Sequence, residues 1–496
     1  MYATTDTLAT TPATQGGRSR WLALYVLCAG MLMIVLDVTI VNVALPAIQD
    51  DLGFSNSSLA WVVNAYLIAF GGLLLLAGRL GDLLGRRNIF VSGLIVFTAA
   101  SVLCGLASSS AVLIAARFLQ GVGGALTSAV ILGMIVTLFP EPREQAKAIG
   151  VFAFVASAGG SIGLLAGGVL TQAISWHWIF FVNLPIGIVT AVLAVRVIEK
   201  DKGLGFGRGT DVPGAVLITS ALMVGVFTIV KPAAELGWTA PRTIALSLLT
   251  LTLLACFIVR EATAANPLVP LRIFRSRTLT GANLIQALSS AGMFGIFFLG
   301  SLYLQRVLGY DALQIGLAFL PTTLVMGLLS VKYSEKLVMR FGPRRPLIGG
   351  LVLIVAGLAL FTQAPVGGNY FIHVMPVLFL LGLGGGICFP ALMGLSMADV
   401  KPEDAGLASG LIGTMGEVGA ALGLAVLATV SATRTEGLAA AGKPVLDSLT
   451  SGYHLSFAIA AALVATAVVI ACTLMRPTRS AAAETELNEE LALDAA

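Results

Sequence analysis

The chain has 496 residues, 57% of them apolar and 11% charged, with mean hydropathy +0.95 and net charge +4. A soluble globular chain carries about a quarter charged residues, so an ordinary soluble domain is excluded. The polar loops are too short for a catalytic domain, and the basic residues are scattered over many of them, which excludes a nucleic-acid-binding surface.

Residues 1–20 are polar and Thr-rich, with no basic–apolar–small cleavage pattern, so no removable signal peptide is expected. From Trp21 to Met475 apolar runs recur between short polar breaks. About 20 apolar residues cross a hydrocarbon core. The runs predict fourteen helical spans: 21–46, 58–77, 88–107, 111–138, 148–171, 178–197, 212–231, 243–260, 279–304, 313–331, 347–363, 372–396, 405–430 and 455–475. The expected fold is an all-α polytopic membrane protein with both termini on one side. On the opposite side lie Lys231, Arg242, Arg306, Arg434 and Lys443; Arg117 is inside a span, and the rest of the 29 Lys and Arg accompany the termini. That bias predicts cytoplasmic termini in a multi-pass cell-membrane protein, with a basic belt facing anionic lipid. The acidic tail 476–496 is expected in the cytoplasm.

The five cysteines (Cys28, Cys104, Cys256, Cys388, Cys472) all sit in apolar runs and read as small buried hydrophobes. His177, His373 and His454 fall near span ends without ligand spacing, so no metal is expected.

Asp37 interrupts the first span, "MLMIVLDVTIVNVALPAIQD". Its distance from Trp21 puts it about 24 Å deep; Arg117 is roughly 9 Å in from the opposite face, a similar level. Buried charges cost about 2.5–3.5 kcal/mol on insertion scales, so both are expected to face the interior. Asp37 has three readings: a proton carrier, a receptor for a cationic substrate, or half of a fixed ion pair joining spans 1 and 4. Glu417, in "GLIGTMGEVGAALGLAV", lies about 18 Å deep. It reads as a second proton site, a cation receptor, or a protonated and hydrogen-bonded carboxyl. Asn42, Asn64, Tyr66, Gln120, Asn283 and Gln286 are polar groups within spans, candidates for a substrate cavity or for interhelical hydrogen bonds.

The loop "GRLGDLLGRR" predicts a tight turn at Gly78, Gly81 and Gly85, with Asp82 free to cap amides or pair with Arg79, Arg86 or Arg87. A related stretch, "EKLVMRFGPRR", recurs at 335–345, with Met339 in place of the acid. Two related halves are therefore expected: a six-helix bundle at 21–197, two inserted spans within 198–277, and a second six-helix bundle at 278–475. Gly159, Gly163 and Gly167 repeat along one face of span 5 and predict close helix packing.

Together, "LDVTIVNVALPAI" (36–48), "GRLGDLLGRR" (78–87), "RFLQGVGGAL" (117–126) and "SWHWIFFVNLPIG" (175–187) resemble the major facilitator superfamily, in its fourteen-helix drug/proton antiporter branch of the EmrB/QacA type. The resemblance implies secondary active export of small molecules driven by proton entry, and a cytoplasmic latch in the 78–87 loop. It also implies a neutral amide where Glu417 stands. In span 5, "GGSIGLLAGG" has Leu164 where that branch carries a helix-bending proline.

The expected function is proton-coupled export of lipophilic, cationic or amphiphilic compounds such as drugs or antibiotics. The alternative is a dedicated exporter of one endogenous metabolite or self-made antibiotic. No HExxH, GxSxG or GxxxxGK[ST] is present, so neither an enzyme nor ATP coupling is expected. The expected partners are a small-molecule substrate, protons and membrane lipid. A proton gradient rather than a cofactor supplies the drive, to a protein working as a monomer.

Overall fold

The computed structural model describes residues 17–475 except 56–57, 202, 204–210, 234–235, 266, 270 and 399–404. Residues 1–16 and the acidic tail 476–496 lie outside the described residues.

Helices account for nearly all of the described chain. The first group is α1 (Gly17–Leu52), α2 (Trp61–Leu84), α3 (Arg86–Gly105), α4 (Ser110–Leu138), α5 (Pro142–Ala173), the single turn α6 (Trp178–Phe181) and α7 (Asn183–Val197). A hairpin of α8 (Val212–Thr228) and α9 (Pro241–Thr263) follows. The second group is α10 (Arg277–Arg306), α11 (Ala312–Lys332), α12 (Ser334–Phe341), α13 (Arg344–Phe361), α14 (Met375–Ala398), α15 (Ala405–Ala440) and α16 (Val445–Thr473). Among the described residues, eleven helices are long and apolar enough to cross a membrane, and three shorter apolar stretches lie at Ser58–Leu74, Ile162–Ala173 and Val212–Thr228.

Burial sorts these helices. The apolar window of α10 is 78% buried inside the protein, that of α9 only 6%. Thus α10 is a central helix, whereas α9 presents Leu248, Leu251 and Val259 outward, as suits a lipid-facing helix. The hairpin leans through α8 on both α2 and α15.

One end of the molecule gathers the start of α1, the α2–α3 junction and the end of α7; Arg20, for example, pairs with Glu144 at the start of α5. We call this the terminal face and its opposite the distal face. The two groups approach closely in their distal halves. There Gly168 of α5 abuts the backbone of Ala312 and Leu313 on α11, and Gly316 abuts the Leu164 carbonyl. Gln172 bonds Asp311 at 3.2 Å, and Arg306 bonds Gln49 at 2.5 Å.

Several expectations need correction. α15 continues ten residues past the predicted end at 430, and α16 begins ten before the predicted start at 455. At 1.5 Å per residue the 36-residue α15 spans about 54 Å, well beyond a hydrocarbon core of about 30 Å. Its Ala-rich end stays helical because it packs on α16, where Gly452 lets Thr435 and Ser431 approach. α1 runs through Pro46 rather than stopping there. The turn at 78–87 is also tighter than predicted. Gly78 and Gly81 lie inside α2, and only Gly85, at φ 95°, breaks the helix. Gly342 takes φ 73° at the equivalent place in the second group, so the repeat extends to backbone geometry. Finally, Cys256 and Cys472 are exposed on outer helix faces, while Cys28, Cys104 and Cys388 are buried.

Candidate functional site

Asp37, at mid-length in α1, is fully buried, as are Arg117 and Gln120 of α4, Ser101 of α3 and Asn183 of α7. Arg117 and Gln120 are three residues apart and so share a face of α4. Arg117 Nη1 donates to Asp37 Oδ2 at 2.5 Å and to Gln120 Oε1 at 2.7 Å; its Nε donates to the Val62 carbonyl at 2.9 Å. Gln120 Nε2 and Asn183 Nδ2 donate to Asp37 Oδ1 at 2.7 and 3.0 Å. Ser101 Oγ accepts from the same two amides, at 3.1 and 2.9 Å, and donates to the Phe180 carbonyl. The guanidinium lies 4.5 Å from the Tyr66 ring centroid and 5.8 Å from that of Phe180, two cation–π contacts shielded from water. Both charges are paired and further hydrogen-bonded, the condition under which a buried ion pair is tolerated.

Glu417 is held differently. It projects from α15 onto Gly71 of α2, where an added methyl would come within 2.6 Å of the Glu417 Cβ. Its Oε2 is buried with no hydrogen-bond partner, though the residue as a whole is partly exposed. Gln286 of α10 reaches the backbone beside it, at Gly416, and bonds Ser290 at 3.2 Å. Glu417 therefore sits between the two helix groups, whereas Asp37 is enclosed within one.

The remaining cavity candidates scatter. Only Gln120 joins the Asp37 cluster directly. The Tyr66 ring packs on Arg117, and its hydroxyl lies over Gly124 without a partner. Asn42 and Asn283 each bond the carbonyl four residues back, Val38 and Leu279. Asn64 is fully buried with both amide atoms unpartnered.

The 78–87 loop is tied down within the first group. Gly81 is pressed against Val130 of α4. Arg86 reaches the Gly133 carbonyl and Thr137, and Arg87 reaches the Val195 carbonyl. The amides of Arg86 and Arg87 are capped by Asp201, at 2.7 and 3.2 Å. That cap comes from beyond α7; Asp82 lies within α2, and its side chain, on which the expected capping or arginine pairing depends, lies outside the described residues. On α5, Gly159 packs against Leu32 and Val35 of α1, Gly163 against Thr39 and Gly167 against Ile40. Leu164, in the proline's place, is buried and turns its carbonyl to Gly316.

The pattern described as the Major Facilitator Superfamily matches residues 27–424. The chain belongs to that superfamily. It is 38% identical over 472 residues to the puromycin resistance protein pur8 of Streptomyces alboniger, covering 94% of this chain and 93% of the relative. It is 38% identical to the cephamycin export protein CmcT of Amycolatopsis lactamdurans, over 84% of this chain and 86% of the relative. It is 34% identical to a tetracenomycin C resistance and export protein of Streptomyces glaucescens, over 86% and 79%. Among solved structures, it superposes on a bacterial homologue of the human lysosomal transporter Spinster, in an inward-facing, unoccupied conformation. The TM-score is 0.66 at 16% identity, with 92% of this chain and 97% of the other covered; at that identity the likeness concerns the fold alone. A major facilitator is a membrane transporter, not an enzyme.

Sequence reasoning missed three residues of this major facilitator site. Asn183 stands in the quoted "SWHWIFFVNLPIG", yet its contact with Asp37 was not read from it. Ser101, a lone serine in an apolar run, carried no signal, and Asp201 lies outside every motif.

Proposed function

We propose that this protein is a proton-driven antiporter exporting lipophilic, cationic or amphiphilic small molecules, antibiotics among them, by alternating access at the cell membrane. In this reading the terminal face lies in the cytoplasm, fourteen crossings form bundles at 21–197 and 278–475 around the 198–277 insert, and a single copy suffices. No cofactor takes part; the proton gradient supplies the drive.

The observation that carries the proposal is Glu417, an acid between the two helix groups with an oxygen that nothing binds. An intramembrane acid with an open valence takes a proton or a cationic group, and its surroundings change when the groups rock. The Asp37–Arg117 pair is the second coupling candidate; it takes part only in a state that separates its three donors from the carboxylate. The close distal approach of α5 and α11 fits a state closed on that side. Gly78, Arg79, Gly81, Asp82, Gly85, Arg86 and Arg87 serve as the cytoplasmic latch.

The names of the relatives favour antibiotics as cargo. That all three name a single compound, puromycin, cephamycin or tetracenomycin C, supports a second reading: dedicated export of one molecule. Transport in proteoliposomes under an imposed pH gradient tests the main proposal, with the native chain beside Glu417→Gln and a panel of cationic and neutral antibiotics. Gradient-driven transport of several cations, lost in the variant, is expected. Transport indifferent to the gradient sinks the coupling; transport of one compound only selects the second reading.

A further inference from the structure

The distal face carries a cavity that the Glu417 site does not use. It has a volume of about 320 Å³ and is lined by Asp50 of α1, Gln305 and Arg306 of α10, and Val445, Leu446 and Leu449 of α16. That volume falls at the small end of the range for small-molecule sites. α1 belongs to the first helix group, α10 and α16 to the second, so the cavity lies where the groups meet.

Its polar groups divide into engaged and open. Arg306 donates to Gln49 Oε1 at 2.5 Å, and Asp51, next to Asp50, accepts from Trp176 Nε1 at 2.9 Å. Gln305 Oε1 is buried with no hydrogen-bond partner. Asp50 is exposed, and no ion pair or hydrogen bond among the described residues engages its carboxylate. Both open groups are acceptors. An occupant must therefore bring N–H or O–H donors, and a positive charge strengthens the bond to the carboxylate. An anion would meet Asp50 with like charge and would find Arg306 already bonded.

The α16 wall is apolar in a place that lipid does not cover. α16 has 29 residues, about 44 Å at 1.5 Å per residue, against a hydrocarbon core of about 30 Å. Its first turns precede the apolar run that begins at 455. Val445 is nonetheless 68% exposed and Leu446 42%. Lys443 and Asp447 flank Val445 with opposite charges, so this wall carries no net charge. Apolar side chains turned to water beside an open carboxylate mark a place for an apolar body with a donor at one end.

We propose that this cavity binds soluble amines: the ammonium donates to Asp50 and to Gln305 Oε1, and the apolar body lies on Val445, Leu446 and Leu449. Its role as a release-side stop for amphiphilic cations rests on the export reading; its occupancy depends neither on Glu417 nor on a proton gradient.

Protection of an introduced cysteine tests this on the full chain, purified in detergent. Val445→Cys is combined with Cys256→Ser and Cys472→Ser, which remove the two exposed thiols, and is labelled with a polar maleimide; the thermal midpoint of each variant checks its fold. Phenylbutylammonium is expected to slow labelling saturably, by roughly fivefold or more. Phenylbutyltrimethylammonium, a cation without an N–H, should slow it less, and phenylbutyrate not at all. Asp50→Asn should remove most of the protection, Gln305→Leu should level the two cations, and Glu417→Gln should leave the protection intact. No slowing by phenylbutylammonium overturns the proposal. Equal slowing by phenylbutyrate overturns it too, assigning the cavity to apolar contact alone. So does protection that survives Asp50→Asn, or that is lost in Glu417→Gln, which would place the amine at the Glu417 site. Phosphatidylethanolamine that protects with no soluble amine present assigns the cavity to a lipid headgroup and overturns it as well.

Discussion

Asp37 and Glu417 are the same kind of anomaly in sequence, an acid in an apolar helix, yet the structure treats them oppositely. Asp37 has three donors on its two oxygens, from α4 and α7, and its ion partner bonds Gln120 and the Val62 carbonyl as well. Glu417 has an oxygen with nothing on it and a glycine opposite. A saturated buried charge is costly to disturb and so fixes the helices around it. An unsaturated one contributes little to the fold and is available to a ligand or a proton. Burial alone does not distinguish a structural acid from a working one; the inventory of donors does.

That contrast can be broken by substitution, and the variants rank by how much of the saturated cluster each dismantles. Arg117→Ala strands Asp37 without its counter-ion and should cost about 3–5 kcal/mol, read as a large fall in the thermal aggregation midpoint and in the yield of folded protein. Asp37→Asn keeps one acceptor for Gln120 and Asn183 but turns an amide donor on Arg117, so a loss of about 1–3 kcal/mol is expected in the same assay. Ser101→Ala removes one acceptor from amides that keep Asp37, and should cost about 1 kcal/mol. Glu417→Gln breaks no hydrogen bond and should shift the midpoint by less than about 1 kcal/mol while abolishing gradient-driven transport. Were Glu417→Gln as destabilising as Arg117→Ala, the contrast between the two acids would collapse.

The chain's own residues dictate a good deal. Runs of about 20 apolar residues have one stable outcome in lipid, the helix, because only there are backbone groups satisfied locally. The all-helical membrane fold, the near-equality of depth between Asp37 and Arg117, the repeat around Gly85 and Gly342, and the close-packing face of Gly159, Gly163 and Gly167 follow from spacing alone, since rise and periodicity are local properties. Helix ends outside the lipid do not: 431–440 and 445–454 carry no apolar demand, and are helical because α15 and α16 pack on each other. Tertiary structure alone decided that Ser101 and Asn183 complete the Asp37 cluster, that Asp201 caps the amides of Arg86 and Arg87, and that Asp50 and Gln305 border one cavity. Each joins residues far apart in the chain, and a hydrogen bond depends on the meeting of two surfaces that no single helix encodes.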